Sequence, residues 1–369
     1  MVYKFSELFK WTSGKPITPT EGAIPIYGSN GIIGYTNRPK YKNKIIIGRV
    51  GAYCGSVSYC PDEFNATDNT LITTCDTTKI LYLYAYYVLK LYNLNSFAGG
   101  AAQPLITQSI LKRLKCDVPD LKTQKIVVSI LSAYDNLIEN NNRRIRLLEQ
   151  MAENLYKEWF AFHRIKDSSN EIRLTDIITI HRGLSYSSEE IECEEGNDLI
   201  NLKNIQAFGG FRLDGTKKYD GKFKQDQVVI EGDLIMGVTD MTQDRRTVGS
   251  VALIPNIKAL SVITADLIKL VSPVDNVYLY AMFRWGNVSK YISQFANGAN
   301  VLHLRPQILK NIKVLLPQQG LMDKYVSVVK PMIETTNKLN TENEHLSRQR
   351  DLLLPRLMSG KLEVKSVSL

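Results

Sequence analysis

The sequence predicts an α+β protein: two strand-rich domains, two long helices that pair with each other, and an internal pseudo-two-fold duplication. Three observations predict it. From Asp120 to Phe162 the chain has neither Gly nor Pro, the residues that most often break helices. There Val127, Leu131, Tyr134, Ile138, Asn141, Ile145, Leu148, Ala152, Leu155, Trp159 and Phe162 recur at alternating steps of four and three, the spacing of a coiled-coil seam. A shift of 198 residues, without a gap, lays this segment and its approach onto the C-terminus. Finally, short apolar and β-branched runs divided by Gly, Asn and Pro fill the segments ahead of both helices, as in strands joined by tight turns.

The first strand-rich domain is expected over residues 1–118. It opens on Phe5-Ser-Glu-Leu-Phe, continues through Ile45-Ile-Ile-Gly-Arg-Val and Ala66-Thr-Asp-Asn-Thr-Leu-Ile, and ends on a helix over Ile80–Leu94. Residues 119–166 form the central long helix, which would span about 60 Å at 1.5 Å per residue. A lone helix cannot bury such a stripe, so it needs a partner; Asn141, the polar member of the seam, would cost stability but fix register. Residues 167–316 repeat the first domain in diverged form. Leu174-Thr-Asp-Ile-Ile, Asp233-Leu-Ile-Met-Gly-Val and Val262-Ile-Thr-Ala-Asp-Leu-Ile match the three segments above, and a helix is expected over Val277–Phe295. Residues 317–369 form the second long helix and a tail. Its seam of Tyr325, Val329, Met332, Thr336, Leu339, Asn343, Leu346, Arg350, Leu353 and Leu357 is more polar. Pro331 on its path predicts a kink or a late start.

Composition narrows the function. At 369 residues the chain is long enough for two cores, and a 44% apolar fraction argues against disorder. No apolar run has the length to cross a bilayer, and no apolar segment behind the first residues suggests a secretory signal; a cytoplasmic protein is expected. Five cysteines without a CxxC pair suit buried thiols in a reducing compartment better than zinc ligands. The net charge is +9, and residues 1–119 carry a net +6 of it, whereas residues 167–317 carry −1. A basic excess in one domain suggests a polyanion partner, most simply nucleic acid. Phosphate-loop, HExxH, nucleophile-elbow and dinucleotide-binding motifs are absent, as is the Asn/Asp-Pro-Pro-aromatic motif of amino-methyltransferases. The histidines are scattered, and the acidic run from Glu189 to Glu195 reads as a solvated loop. No chemistry of its own, no metal and no cofactor are expected.

Candidate contact residues follow from side-chain type. Arg38, Lys40, Lys42, Lys44 and Arg49 lead into an apolar strand; such a basic run suits a phosphate backbone, although lysines also blunt solvated edge strands. Lys217, Lys218, Lys222 and Lys224 hold the equivalent place in the second domain, with aspartates interleaved. Turns between strands carry Tyr53, Gln243, Arg245 and Arg246; Gln and Arg pair bidentately with adenine and guanine edges. Glycine-bearing loops with Gln103, Asn300 and Arg305 recur where each domain meets its long helix, and Asn30 sits in a Gly-Ser-Asn-Gly segment that reads first as an ordinary turn, with a hairpin tip near the same face as the alternative.

Three stretches carry a family resemblance: Pro119-Asp-Leu-Lys-Thr-Gln-Lys-Ile running into Ile130-Leu-Ser-Ala-Tyr-Asp-Asn-Leu-Ile-Glu-Asn-Asn, Leu155-Tyr-Lys-Glu-Trp-Phe, and Leu353-Leu-Pro-Arg-Leu-Met-Ser-Gly-Lys. With these the whole chain resembles the specificity subunit of type I restriction-modification systems. The resemblance implies two target-recognition domains separated by helices packed as an antiparallel coiled coil. It implies that each domain reads one half of a bipartite DNA site and that the helices act as a ruler for the unread spacer. Two modification subunits that bind S-adenosylmethionine would dock on the helices, and restriction subunits with nuclease and motor would join them. A stand-alone methyltransferase or nuclease lacks its motifs here. A protein-only coiled-coil adaptor leaves the basic first domain unexplained.

Overall fold

The structure is a computed structural model that describes residues 1–100, 103–160, 170–191 and 194–362. It divides into two units, Met1–Ile138 with His345–Leu369, and Glu139–Glu344. Each unit contains one strand-rich domain and a part of both long helices.

In the first unit the chain runs β1 (Val2–Lys4), α1 (Phe5–Leu8), β2 (Phe9–Ser13), β3 (Ile24–Gly28), β4 (Gly31–Thr36), β5 (Tyr41–Gly48), β6 (Val57–Ala66) and β7 (Thr70–Cys75). Then come α2 (Tyr82–Leu91), α3 (Gln108–Arg113) and β8 (Lys115–Asp117). Six strands form one sheet in the order β2-β7-β5-β6-β3-β4, antiparallel except where β3 meets β6. The Ile45-Ile-Ile run is buried on both faces: Ile45 and Ile47 pack with Leu71, Tyr84 and Val88, while Ile46 packs with Phe64 and Ile72 on the other side. An uninterrupted apolar run in place of strict alternation is what a two-sided strand requires.

The helix expected over Ile80–Leu94 is shorter, Tyr82–Leu91, and yields to a 3-10 turn at Leu94–Phe97. Asn93 between them takes the left-handed conformation, φ 42°, and ends the α-helical path.

The central helix α4 (Leu121–Phe160) is unbroken. Asp120 caps it, its carboxylate accepting from the backbone N–H of Thr123 at 2.8 Å and from the Thr123 hydroxyl at 3.1 Å, which satisfies donors that the first turn leaves open. Phe162, the last seam position, lies outside the described residues.

In the second unit the order is β9 (Asn170–Arg173), α5 (Leu174–Ile177), β10 (Thr179–Arg182), β11 (Asn197–Ile200), β12 (Lys217–Tyr219), β13 (Val228–Val229), β14 (Leu234–Gly237) and β15 (Thr239–Asp240). It continues through β16 (Val251–Leu253), β17 (Ser261–Ile263), β18 (Leu267–Val271), α6 (Asn276–Trp285), α7 (Val288–Ser293), β19 (Leu302–His303), β20 (Lys313–Leu316) and α8 (Gln319–Met358). The four-stranded order β10-β18-β14-β16 repeats β2-β7-β5-β6 of the first unit, and β11 again has a parallel partner.

The duplication extends to single hydrogen bonds. Gly99 and Leu105 exchange backbone bonds of 3.0 and 2.8 Å; Asn297 and His303, 198 positions on, exchange bonds of 3.1 and 2.9 Å. Phe5 N–H donates to the Leu114 carbonyl and Leu174 N–H to that of Ile312, both at 2.8 Å. The single helix expected over Val277–Phe295 is two helices, because Asn287 adopts φ 63° between them.

The long helices run antiparallel within each unit. In the first, Arg350 donates to Asp135 at 2.6 Å, and Leu354 and Leu357 share a core with Val127 and Leu131. In the second, Asn343 donates to Asn142 at 3.0 Å and the Tyr325 hydroxyl to the Ala152 carbonyl at 3.2 Å. Asn141, Leu131, Leu339 and Leu357 are buried. Ile138, Ile145, Leu148, Leu155, Trp159, Leu346 and Leu353 are half-buried, as a seam requires.

The late start expected at Pro331 does not occur: α8 begins at Gln319 and passes through Pro331 and Pro355. Both prolines are exposed, so water can bond the carbonyls that lose a helical donor.

Candidate nucleic-acid interface

In the first unit four loops meet at one end of the sheet, and hydrogen bonds tie them together. The β3–β4 turn is the hairpin tip allowed by its sequence. Its Ser29 hydroxyl donates to the Asn69 carbonyl at 2.7 Å, and its carbonyl accepts from the Ser56 hydroxyl at 2.6 Å. The loop after β5 joins the loop before α3 through Gly51 N–H to the Pro104 carbonyl, 3.0 Å, and Ile106 N–H to that of Arg49, 3.0 Å. Asn30, Tyr53 and Gln103, three residues from three loops, are thereby brought to one end, and all three are exposed. Arg49 is half-buried there, its Nε buried without a hydrogen-bond partner.

The lysine run lies elsewhere. Arg38, Lys40 and Lys42 are exposed around the start of β5, roughly 20 Å from the loop end at 3.3 Å per residue. There β5 pairs only with β6; pairing with β7 begins at Ile45. The basic stretch is therefore a half-open edge of an otherwise internal strand, with an irregular register at Asn43. Lys44 is half-buried, and its Nζ donates to the Tyr82 hydroxyl at 2.8 Å.

The second unit repeats this division. Lys218 on edge strand β12 pairs with Asp198 at 2.9 Å, and Lys217 lies over the Tyr186 ring; Lys222 and Lys224 are both exposed just beyond. The loop end is built by β15 pairing with β19 and by the Gln243 amide donating to the Ala299 carbonyl at 2.9 Å. Arg245, Arg246 and Asn300 are exposed on these loops. Arg305 lines a cleft with Arg182, Thr239 and His303. Arginines thus concentrate at this end although the domain is nearly neutral, and Asp244 at 2.6 Å offsets Arg246.

Asp240 organises this loop. It is buried, and its carboxylate accepts from Thr242 N–H at 2.8 Å, the Thr242 hydroxyl at 2.8 Å, Thr247 N–H at 2.6 Å and Val248 N–H at 3.2 Å. Burial raises its pKa, but the hydrogen bonds from Thr247 and Thr242 outweigh it, leaving the carboxyl below its usual range. Sequence reasoning missed Asp240, Arg182 and Phe208. An Asp followed two residues later by Thr is a weak local signal for such a turn; the other two become visible only with the strand order.

Known proteins match this arrangement. Residues 1–150 match the family described as the type I restriction modification DNA specificity domain. The type I restriction enzyme MjaVIII specificity subunit of Methanocaldococcus jannaschii is 23% identical over 329 residues, which cover 81% of this chain and 75% of that protein. The MjaIX specificity subunit of the same organism is 24% identical, over 77% and 70% of the two chains. The crystal structure of the type I restriction-modification system S subunit from M. genitalium shares the fold, with a TM-score of 0.64 over 97% of this chain and 96% of that one, at 18% identity. The chain thus resembles type I restriction-modification specificity subunits over most of its length.

The part matched by the family model is described as a DNA specificity domain, and the relatives that span most of the chain are specificity subunits of type I restriction enzymes. Among its described residues no helix is long and apolar enough to cross a membrane, and no three metal-ligating side chains cluster. The family match ends at residue 150, while the strand order of the first domain recurs beyond it.

Proposed function

We propose that each strand-rich domain, taken as residues 1–118 and 167–316, reads one half of a bipartite double-stranded DNA site through the loops at the end of its sheet. The observation that carries this reading is the repeated loop end: Asn30, Tyr53 and Gln103 gather there in the first unit, and Gln243, Arg245, Arg246, Asn300 and Arg305 in the second. Amide and guanidinium groups supply the bidentate patterns that distinguish base pairs in the major groove. Arg38, Lys40, Lys42, Lys217, Lys218, Lys222 and Lys224, removed from those loops, contact phosphates and set register without specifying sequence; Lys44 and Arg49 join them from half-buried positions.

The paired long helices, at residues 119–166 and 317–369 with the C-terminal tail, fix the length of the unread spacer. They also dock two modification subunits, which carry S-adenosylmethionine, while restriction subunits complete the cytoplasmic assembly. Support for the ruler is the unbroken 40-residue length of both α4 and α8, about 60 Å each at 1.5 Å per residue.

Co-expression with a type I modification subunit, followed by genome-wide single-molecule mapping of methylated adenines, tests the reading. Two short specified blocks around a fixed gap are expected. A continuous motif, or methylation without sequence preference, contradicts it.

A further inference from the structure

The connection between β11 and β12, residues 201–216, occupies the place of the short β3–β4 hairpin tip in the first unit. Two buried asparagines anchor its base. The Asn201 amide donates to the Gly215 carbonyl at 2.7 Å, and the Asn204 amide donates to the Arg212 carbonyl at 2.7 Å and to the Thr216 hydroxyl at 2.8 Å. At its tip stands Phe208, 66% exposed. Three consecutive residues there have positive φ: Phe208 at 64°, Gly209 at 110° and Gly210 at 112°.

A left-handed aromatic residue is a strained outlier, and such residues persist where surrounding structure enforces them. Of the five non-glycine residues with positive φ among the described residues, three are asparagines, which tolerate it; the others are Phe208 and Arg245. These two lie on the same edge, because Phe208 N–H donates to the Arg246 carbonyl at 2.8 Å. Met241 on the arginine loop is 70% exposed. Folding alone gives no reason to hold an aromatic ring in water at a strained tip beside two arginines.

We propose that Phe208 is an apolar wedge that stacks into a base step of the DNA half-site read by the second domain, with Arg245 and Arg246 holding the flanking strand. An inserted ring unstacks the step, and the energy of doing so depends on the sequence deformed. The wedge thus adds selectivity at a step whose base edges no side chain reads. A ring held outward in advance loses little freedom on insertion. The inference rests on the DNA-reading role proposed above for this domain.

The test uses the assembled complex with its modification subunits and duplexes carrying the mapped target, with 2-aminopurine placed in turn at each step of the second half-site. The wild type should raise the fluorescence at one step. Phe208→Ala should abolish that rise and weaken binding about tenfold, the order of magnitude that one aromatic stacking interaction with a base supplies. Phe208→Gly removes the ring while relieving the backbone, so its melting temperature should equal or exceed the wild type's while it binds as weakly as Phe208→Ala. The salt slope should be unchanged in both, because the phosphate-binding side chains remain in place. Binding and fluorescence equal to wild type in Phe208→Gly would overturn the wedge. Wild-type complex that ignores the second half-site altogether would instead overturn the reading on which the wedge rests.

Discussion

Asp240 shows how one carboxylate sets the shape of a loop proposed to recognise DNA. Its four accepted hydrogen bonds fix the turn that presents Gln243, Arg245 and Arg246. Asp240→Ala should cost about 2–3 kcal/mol, the scale of hydrogen bonds to a buried charged group. It should also blur specificity for one half-site only; thermal unfolding and methylation mapping check the two effects. The carboxyl is held below the ordinary aspartate value of 3.8, so its contribution is full above that value and is lost as pH falls through the depressed folded value. The stability gap between wild type and Asp240→Asn should therefore narrow in acid titration below about pH 4. Equal stability at pH 7 would remove Asp240 from this role. Arg350 carries a related lesson. In the sequence it reads as a flaw in the second seam, yet it donates to Asp135, which also accepts from the buried Tyr87 hydroxyl at 2.5 Å. Periodicity reports that a position faces inward; it does not report which polar partner waits there.

At the scale of elements, what repeats locally is legible in the sequence and what depends on assembly is not. The seams of α4 and α8 and the 198-residue register are visible because helical spacing and an ungapped repeat are written in neighbouring residues. The splitting of the helix over 277–295 at Asn287 is hidden, since an asparagine takes a left-handed conformation only in some contexts. Pro331 suggests a delayed α8, but an exposed proline can ride on a helix whose other face is fixed by packing against α4. The basic run at β5 is visible as a run yet has no place until the strands are ordered: its distance from the loops proposed to read bases follows from that order, which the sequence does not print. Replacing Lys40 and Lys42 by Gln should lower affinity for every DNA sequence alike. It should also reduce the slope of log affinity against log salt by up to about 1.8, or 0.9 for each phosphate no longer neutralised. An unchanged slope would assign those lysines to a merely solvated edge.

For the whole molecule the duplication is the organising fact. Two domains of one strand order are each built onto parts of the same two helices, and their loop ends differ in length, charge and exposed residues. Divergence at the loops on a retained scaffold is what the proposed reading of a different half-site by each domain requires, because loops tolerate change that packed strands do not. Spread over a long chain, such loops give little sequence signal for individual bases, so neither the target nor the wedge residue is legible in the sequence. The most direct measurement replaces residues 1–118 by the matching domain of a specificity subunit with a different known target and maps adenine methylation made by the assembled complex. One block of the split motif should change to the donor's, with the other block and the gap between them retained. A change in both blocks, or in the gap, would contradict the assignment of one half-site to each domain.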